Sequence, residues 1–277
     1  MINGKTLLIP HIGYPTESFK APMIYNPWFE KHGINAMVVP MGVKAEDYPA
    51  SLKQIFKFTN VRGALVTMPH KVTTMSLADE VSVTAKIAGA ANALLKREDG
   101  TLLADQFDGA GFVRGAMRKG FKVKGSKILI VGTAGVGSPI AASFAAEGAA
   151  SISLYNRTAS KAEGLASRLR QHYPDIKVQL VSNDPAGYDM VVNATSLGMN
   201  ADDPLPFDPE RLSSNTFVGE VVMKREITPI LEAAIARGCP YQIGTDMLFE
   251  MIPAYLEFFG FGTAEPEELR AVAKLAY

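Results

Sequence analysis

The segment that most constrains the fold is an apolar strand pattern followed by a glycine-rich turn and an alanine-rich helix pattern. The apolar run at Lys127–Val131 (KILIV) is typical of a strand that is buried on both faces of a sheet. Glycines at positions 132, 135 and 137 follow it, then a helical pattern over residues 140–150 and a second strand at Ser151–Tyr155. This order predicts a parallel sheet that offers free backbone N–H groups at the start of the helix.

Strand and helix patterns alternate over most of the remaining chain. We predict further strands at residues 5–9, 35–39, 63–66, 190–193, 217–222 and 241–243, with helical patterns at 47–58, 71–77 and 247–277. Such alternation predicts an α/β fold with right-handed crossovers. We assign residues 109–244 to a doubly wound, Rossmann-type dinucleotide-binding domain, and residues 1–108 with 245–277 to a mainly parallel α/β substrate domain.

Charge and composition exclude several classes of protein. The 277 residues carry 28 basic and 28 acidic side chains, and this balance does not favour nucleic-acid binding, which needs an excess of Lys and Arg. The hydrophobic fraction of 47% argues against disorder. The single cysteine, Cys239, excludes an intramolecular disulfide, and none of the four histidines has metal-ligand spacing. We therefore predict no metal site.

Targeting signals are not recognisable in the sequence. No apolar stretch approaches the roughly 18 residues that a membrane span requires, and the first residues lack a signal-peptide pattern. We expect a cytoplasmic protein, monomeric or homodimeric, that acts on a small molecule and has neither membrane nor nucleic-acid partners.

The glycine turn predicts a site for the pyrophosphate of a dinucleotide. Its residues are Gly132, Thr133, Ala134, Gly135, Val136 and Gly137. The spacing departs from G-x-G-x-x-G, because Ala134 stands where the second glycine is expected. A glycine turn that only packs the helix against the strand is the alternative interpretation, but the strand–turn–helix context favours the cofactor.

The end of the following strand favours NADP over NAD. An NAD site usually has an acidic residue there for the ribose hydroxyl, about 20 residues beyond the glycines. This chain has Asn156, Arg157 and Thr158, with Lys161 one turn into the next helix. A guanidinium matches a 2′-phosphate through paired hydrogen bonds. A solvated helix start is the alternative, and NAD stays possible because Ala134 alters the phosphate turn.

A lysine and a carboxylate are the candidate groups for catalysis. Lys71 follows the strand at 63–66, and Asp108 precedes the second domain. A protonated amine donates to a carbonyl oxygen as hydride arrives, and a carboxylate shares that proton. Taken alone, either residue is more often a surface charge.

Together these segments resemble the shikimate dehydrogenase family over nearly the whole chain. Residues 63–71 (GALVTMPHK) resemble its motif G-x-N-V-T-x-P-x-K, and residues 193–199 (NATSLGM) match N-A-T-S-x-G-M. The other matching segments, in the same order as in the family, are Gly13-Tyr14-Pro15 with Ala21-Pro22 and Asn26, Gly89-Ala90-Ala91-Asn92-Ala93, Asp108-Gly109, Asn156-Arg157-Thr158, Thr228-Pro229, and Gly244 with Met247-Leu248.

The resemblance implies an NADP-linked oxidation of a cyclic hydroxy acid to its keto form, such as shikimate or quinate. Carried over by position, Lys71 and Asp108 become the catalytic pair, while Thr67 and Asn92 bind ring hydroxyls. We also assign Ser18, Lys20 and Met251 to the substrate. The resemblance adds these cofactor-binding residues to the glycine turn and the Asn-Arg-Thr segment: Thr195, Ser196, Gly198, Met199, Val221, Met223, Gly244, Met247 and Leu248.

Departures from the family pattern concentrate on the substrate. The family holds the substrate carboxylate with two serines in S-x-S-P, and Phe19 and Ala21 stand at those positions. The other apolar or altered positions are Leu65 for Asn, Gln106-Phe107 for N-T, Met223 for Tyr and Met251 for Gln. A carboxylate without donors loses several kcal/mol on desolvation. We therefore expect retained redox chemistry on an altered substrate, with Lys20 as one possible replacement partner for an acid group.

Two other functions stay open at this point. A non-catalytic sensor of a dinucleotide or metabolite could use the same fold, although it has no need of a proton-transfer pair. A different two-domain dehydrogenase, such as a folate-linked one, is disfavoured by the segments at 156–158 and 193–199.

Overall fold

The computed structural model describes residues 2–200 and 202–275, which form two compact units. The first unit contains the chain up to Phe107 and the segment from Met251, and the second is Asp108–Glu250. Each is built on its own six-stranded sheet. No helix within the described ranges has the length and apolar character needed to cross a membrane.

The first unit has a mixed sheet in the order β2-β1-β3-β5-β6-β4. Its strands are β1 (Leu7–Gly13), β2 (Ala36–Gly42), β3 (Gly63–Val66), β4 (Glu80–Val81), β5 (Ala93–Lys96) and β6 (Leu102–Asp105). Its helices before the second unit are α1 (Pro22–Lys31), α2 (Tyr48–Ile55), α3 (Lys71–Thr74) and α4 (Val83–Ala88). The predicted α/β class with parallel β1, β2 and β3 is confirmed.

A hairpin that the sequence analysis missed interrupts the parallel order. Strand β5 runs antiparallel to both β3 and β6. Only five residues, 97–101, connect β5 to β6, which is too short for a crossover between parallel strands. Gly100 takes φ +87° in this turn, and the Arg97 N–H donates to the Thr101 carbonyl at 2.9 Å. The Asp99-Gly100 pair is the local sequence signal for such a turn.

Strand β1 extends further than predicted. The expected end at residue 9, before Pro10, is wrong, because His11 and Ile12 pair with Leu65 and Val66 of β3. The ladder to β2 also continues as far as Gly13. As a result His11 lies inside the sheet, at its carboxyl end.

The second unit has an entirely parallel sheet in the order β12-β11-β10-β7-β8-β9. Its strands are β7 (Lys127–Val131), β8 (Ser151–Tyr155), β9 (Lys177–Leu180), β10 (Met190–Asn193), β11 (Phe217–Glu220) and β12 (Tyr241–Gln242). Its helices are α5 (Asp108–Arg118), α6 (Gly137–Ala146), α7 (Ala159–His172) and α8 (Pro229–Ala236). Strands β7, β8 and β10 have the predicted bounds. The doubly wound Rossmann-type prediction is confirmed.

The last part of the chain is mostly helical, but the prediction of helix over 247–277 is wrong at residues 260–265, where Gly260 and Gly262 take positive φ angles, and at 273–275. Helix α9 (Gly244–Phe259) begins in the second unit and ends in the first, and α10 (Pro266–Val272) packs against α1. The Nε of Arg62, the residue before β3, donates to the carbonyl of Phe259 at 2.8 Å. This hydrogen bond attaches the end of α9 to the start of β3. The predicted helical segment also includes residues 276 and 277, which lie outside the described residues.

Candidate functional site

Three glycines determine the shape of the turn after β7. Gly132 takes φ +101°, and a Cβ on it would lie 2.7 Å from the carbonyl oxygen of Ala194. A Cβ on Gly137, the first residue of α6, would collide with the carbonyl oxygen of Gly132. Gly135 takes φ +58° and faces open space. The first and third glycines therefore permit close packing of the turn, and the second permits its bend.

Ala134 explains why the glycine pattern differs from the common fingerprint. Its side chain is exposed, and in the described residues positive φ angles occur only at glycines. An L-residue therefore fits there without strain. The departure at this position leaves the turn intact.

Polar groups in the turn fit a bound dinucleotide. The Thr133 Oγ1 is buried and has no hydrogen-bond partner, a condition that a ligand with acceptor oxygens can relieve. The Thr133 N–H donates to Asn156 Oδ1 at 3.1 Å, and Asn156 Nδ2 donates to the Thr158 carbonyl at 2.9 Å. Asn156 thus ties the end of β8 to the phosphate turn.

Two cations flank the end of β8. Arg157 and Lys161 are exposed at the start of α7, and neither forms an ion pair with a carboxylate of the described residues. Both are in the second unit, like the phosphate turn. Exposed, unpaired cations at this strand end suit the 2′-phosphate of NADP.

The buried carboxylate of Glu220 joins the carboxyl ends of β10 and β11 through hydrogen bonds. Glu220, the last residue of β11, is fully buried and accepts hydrogen bonds from Asn193 Nδ2 (3.0 Å) and Thr228 Oγ1 (2.7 Å). The N–H groups of Val221 and Val222 donate to the same carboxylate at 2.7 and 3.0 Å. Burial raises the pKa of Glu220, and these hydrogen bonds oppose the rise.

Asn193 connects Glu220 to the loop that follows β10 through hydrogen bonds. Its Nδ2 also donates to the Leu197 carbonyl at 3.0 Å, and its Oδ1 accepts from Thr195 Oγ1 at 2.6 Å. Gly198 takes φ +100° and donates its N–H to Asp203 Oδ2 at 3.0 Å. The predicted cofactor residues Thr195, Ser196, Gly198 and Met199 therefore lie on a loop held by Asn193 and Asp203. Sequence reasoning missed Glu220, whose signal is a carboxylate at the end of a fully buried strand (FVGE).

The remaining predicted cofactor residues lie around the start of α9. A Cβ on Gly244 would collide with the carbonyl oxygen of Val222, so only glycine allows this approach. Met247 and Leu248 are buried, while Val221 and Met223 are partly exposed. The site therefore offers an apolar wall beside the polar loop.

In the first unit, the carboxyl ends of β1 and β3 lie side by side. The Thr67 N–H donates to the Ile12 carbonyl at 2.9 Å, and the Tyr14 N–H donates to the Met68 carbonyl at 2.9 Å. A Cβ on Gly13 would lie 2.8 Å from the Met68 oxygen and would collide with the Thr67 side chain. Gly13 therefore lets the predicted substrate residue Thr67 pack against β1.

Lys71 is the first residue of α3 and is buried. The residue before it, His70, stacks on Tyr48 with ring centroids 3.9 Å apart, and its Nε2 lies 2.9 Å from the Val43 carbonyl. The Tyr48 hydroxyl is in turn 2.7 Å from Thr74 Oγ1. His70 and Tyr48 thus anchor both ends of the short helix that carries the predicted catalytic lysine.

Asn92 presents an unsatisfied donor in the same unit. Its Oδ1 accepts from the Phe107 N–H at 3.0 Å, and its carbonyl accepts from the Val66 N–H at 2.7 Å and the Tyr255 hydroxyl at 3.0 Å. Its Nδ2 is buried and has no partner. The backbone of Asn92 is therefore held by two hydrogen bonds and its side-chain oxygen by one, and the unpartnered Nδ2 fits the predicted contact with a substrate hydroxyl.

The segment between β1 and α1 contains two more predicted substrate residues, Ser18 and Lys20, and both positions that carry serines in the family. Ser18 is exposed and Lys20 is partly buried. Ala21 is buried at the start of α1, and Phe19 stacks on His11 with ring centroids 4.0 Å apart. The two positions that carry serines in the family thus present only apolar groups.

The other departures have different structural roles. Leu65 is buried in β3, and Met251 is partly buried in α9. Phe107 packs edge-on against Tyr255 and Phe258, with centroids 4.8 and 5.4 Å apart. Gln106 is buried, and Asp108 is buried at the first position of α5 in the second unit. Phe107 therefore belongs to an aromatic cluster with α9.

His11 is the residue of this region that the sequence analysis missed. The sequence predicts only that His11, like the other histidines, lacks metal-ligand spacing. Its Nδ1 is buried without a partner. Within residues 2–200 and 202–275, no three His, Cys, Asp or Glu side chains form a group that could hold a metal ion.

Comparison with known proteins shows which family the chain resembles. Residues 11–94 match the family model described as shikimate dehydrogenase substrate binding domain, and residues 115–200 match that of shikimate / quinate 5-dehydrogenase. The shikimate dehydrogenase (NADP(+)) of Dinoroseobacter shibae is 32% identical over 265 residues, which cover 95% of each chain.

Two solved structures share the fold over almost the full length. Shikimate 5-dehydrogenase from Listeria monocytogenes, in complex with shikimate and NAD, superposes with a TM-score of 0.89 at 25% identity, covering 98% of this chain and 97% of that one. The ligand-free 5-ketofructose reductase of Gluconobacter sp. strain CHM43 has a TM-score of 0.87 at 25% identity and covers 98% of both chains. The chain therefore belongs to the shikimate dehydrogenase family.

Proposed function

We propose that the protein is an NADP-dependent oxidoreductase that interconverts a CH–OH group of a cyclic hydroxy acid, or of a close polyol relative, with the corresponding ketone. The observation that carries this proposal is the family match over 95% of the chain, combined with Lys71 and Asp108 at the matching motif positions. The relative from D. shibae is named for NADP(+) and shikimate.

The cofactor half of the proposal rests on the second unit. The phosphate turn, with its glycines and the unpartnered Thr133 Oγ1, fits the pyrophosphate, and Arg157 with Lys161 fits a 2′-phosphate. A dinucleotide held by these residues would supply hydride transfer to and from the substrate carbon. The loop held by Asn193 and Glu220 supports this site by fixing Thr195 and Met199.

The proton half of the proposal rests on Lys71 and Asp108. In the reductive direction the Lys71 ammonium donates a proton to the oxygen that becomes the hydroxyl, and in oxidation its amine takes that proton back. By its position in the family motif we assign Asp108 to share that proton. Thr67 Oγ1 and Asn92 Nδ2 orient the ring hydroxyls beside the reacting carbon.

The substrate differs from that of the biosynthetic relatives in this proposal. Phe19 and Ala21 donate no hydrogen bond, and Leu65 removes an amide from β3. Shikimate therefore binds weakly, because its carboxylate loses water without gaining donors.

A spectrophotometric screen tests the proposed function. Purified protein is incubated with shikimate, quinate and neutral polyols, each with NADP and with NAD, and the formation of reduced cofactor is followed. We expect turnover with at least one hydroxylated ring or sugar, faster with NADP than with NAD. Cofactor binding without turnover on any compound of the panel would instead support a sensor of dinucleotides or metabolites.

A further inference from the structure

One wall of the first unit combines the residues that differ most from the family pattern. The Phe19 ring lies 4.0 Å from the His11 ring, at an interplanar angle of 25°. A Cβ on Gly13 would lie 2.8 Å from Phe19 Cζ and would also meet Thr67, so the Phe19 ring lies close to the predicted substrate residue Thr67. His11 and Phe19 thus form a continuous stacked surface beside Thr67. We refer to this pair as the His11–Phe19 wall.

The polar side chain of this region lies on β1, next to the β3 position that carries an asparagine in the family motif. His11 pairs with Leu65 across the parallel ladder of β1 and β3, and paired residues place their side chains on the same face. The family motif has an asparagine at the position of Leu65. The chain therefore lacks the amide on β3 but has an imidazole directly beside its place.

The imidazole of His11 lacks the partners that a buried polar group normally has. Its Nδ1 is buried without a hydrogen-bond partner, although part of the residue is accessible. Burial, together with the positive charge of Lys71, lowers the pKa of His11 to about 3. The ring is therefore neutral under physiological conditions and forms no ion pair with a carboxylate. A neutral ring with an unpartnered Nδ1 favours the tautomer that carries the proton on Nε2.

From these observations we propose that the His11–Phe19 wall determines substrate specificity, by packing against an uncharged polyhydroxylated part of the substrate and offering it one neutral hydrogen-bond donor. The inference rests on the proposed function and narrows its substrate class to neutral polyhydroxy ketones and their alcohols. The 5-ketofructose reductase among the structural neighbours is named for a ketone of this class. Lys20 provides the competing hypothesis, in which a carboxylate is bound by a cation of the same segment.

The first test introduces serines at the two positions that carry them in the family, which removes the Phe19 ring from the wall. The double variant Phe19→Ser with Ala21→Ser is compared with the wild type in the NADPH-dependent reduction of 3-dehydroshikimate and of 5-ketofructose. We expect kcat/KM for the acid to rise at least tenfold and kcat/KM for the neutral ketone to fall at least tenfold. The control Glu17→Ala, an exposed residue of the same segment, should leave both values unchanged. A double variant with an unchanged ratio of the two kcat/KM values overturns the inference.

The second test isolates the imidazole. His11→Leu should raise KM for 5-ketofructose about tenfold, while KM for NADPH stays the same. His11→Gln, which keeps a neutral donor, should restore most of the affinity. Equal KM values for His11→Leu and the wild type contradict the assignment, as does a tenfold loss of acid turnover in Lys20→Ala, which would place a carboxylate at that lysine.

A binding experiment separates this inference from the proposed function. If neither these two compounds nor any compound of the screening panel is turned over, the proposed function fails. The wall is then judged by ligand-observed NMR of shikimate with the protein and NADP. Tighter shikimate binding by the double variant than by the wild type supports the wall, and equal binding overturns it.

Discussion

The phosphate turn of the second unit and the end of β1 in the first unit have diverged from the family pattern to different degrees. In the turn, glycines remain wherever a Cβ would meet backbone, as at Gly132 and Gly137, and the one departure, Ala134, is exposed. At the end of β1, both serine positions have become apolar, and β3 has lost its amide at Leu65. The phosphate turn thus keeps the family pattern more closely than the end of β1 does, and the altered substrate that we propose rests on this difference.

The difference follows from how each region binds. The turn uses backbone N–H groups, so its function depends on chain geometry that only glycine permits. In the proposed function the end of β1 contributes side chains, so we expect single substitutions there to change what is bound without disturbing the sheet. Gly13 is retained there for the same geometric reason, because Thr67 packs against it.

The largest expected effect comes from the proposed proton donor. Lys71→Ala should lower kcat by about 10²–10⁴-fold, the usual contribution of a general acid, while the Kd for NADP stays the same. Steady-state kinetics and a fluorescence titration of NADPH measure the two quantities. The exposed Lys86→Ala on α4 is the matched control and should retain full activity. Unchanged kcat in Lys71→Ala would remove this lysine from the chemistry.

Substitution in the phosphate turn should affect both stability and cofactor binding. Gly132→Ala places a Cβ at φ +101° and 2.7 Å from the Ala194 oxygen, which should lower the free energy of unfolding by about 1–3 kcal/mol. It should also weaken NADP binding. Ala134→Gly is the matched control, because that position is exposed, and urea denaturation should show a much smaller change. Equal losses in both variants would contradict the geometric account of the turn.

The buried carboxylate of Glu220 predicts a pH dependence of stability. Its pKa is raised in the folded state, so it contributes stability that is fully present below its unfolded value of 4.5 and is lost as the pH rises through the folded value. Glu220→Gln removes this component and leaves a buried donor unsatisfied, at a cost of about 1–3 kcal/mol. Urea denaturation from pH 4 upwards, at roughly unit intervals around the usual carboxyl range, measures both effects. A variant with the same pH profile as the wild type would contradict the raised pKa.

The smallest effect is expected at the exposed cations. Arg157→Ala should raise KM for NADP about tenfold and leave KM for NAD nearly unchanged, because a hydrogen bond to a charged group contributes about 1.5–3 kcal/mol before screening. Arg168→Ala in α7, the helix that follows Arg157, is the control, since its guanidinium donates to the Gly164 carbonyl of that helix. Equal changes in KM for NADP and for NAD would show that Arg157 does not bind the 2′-phosphate.

Much of the second unit could be predicted because its signals are local. An apolar run buried on both faces sets the bounds of β7 and β8, and the glycines that follow β7 mark the turn. The resemblance to the family pointed to Lys71, Thr67 and Asn92 for the same reason, since each lies in a short continuous motif.

The features that escaped prediction depend on contacts between distant segments. The prediction ended β1 at residue 9, because its continuation through Pro10 depends on pairing with the distant strand β3. The role of His11 arises only when Phe19 folds onto it and Leu65 lies beside it. The role of Glu220 likewise follows only from the hydrogen bonds that Asn193 and Thr228 donate to it.

The most direct test of a preserved cofactor site beside a rebuilt substrate site is a paired measurement on the wild-type protein and the shikimate dehydrogenase of D. shibae. The Kd for NADP and the kcat/KM for shikimate are determined for both proteins under the same conditions. We predict similar affinities for NADP and a kcat/KM for shikimate that is lower by at least about 100-fold in this protein, which corresponds to the loss of roughly two charge-assisted hydrogen bonds. Comparable turnover of shikimate by the two proteins would contradict the account.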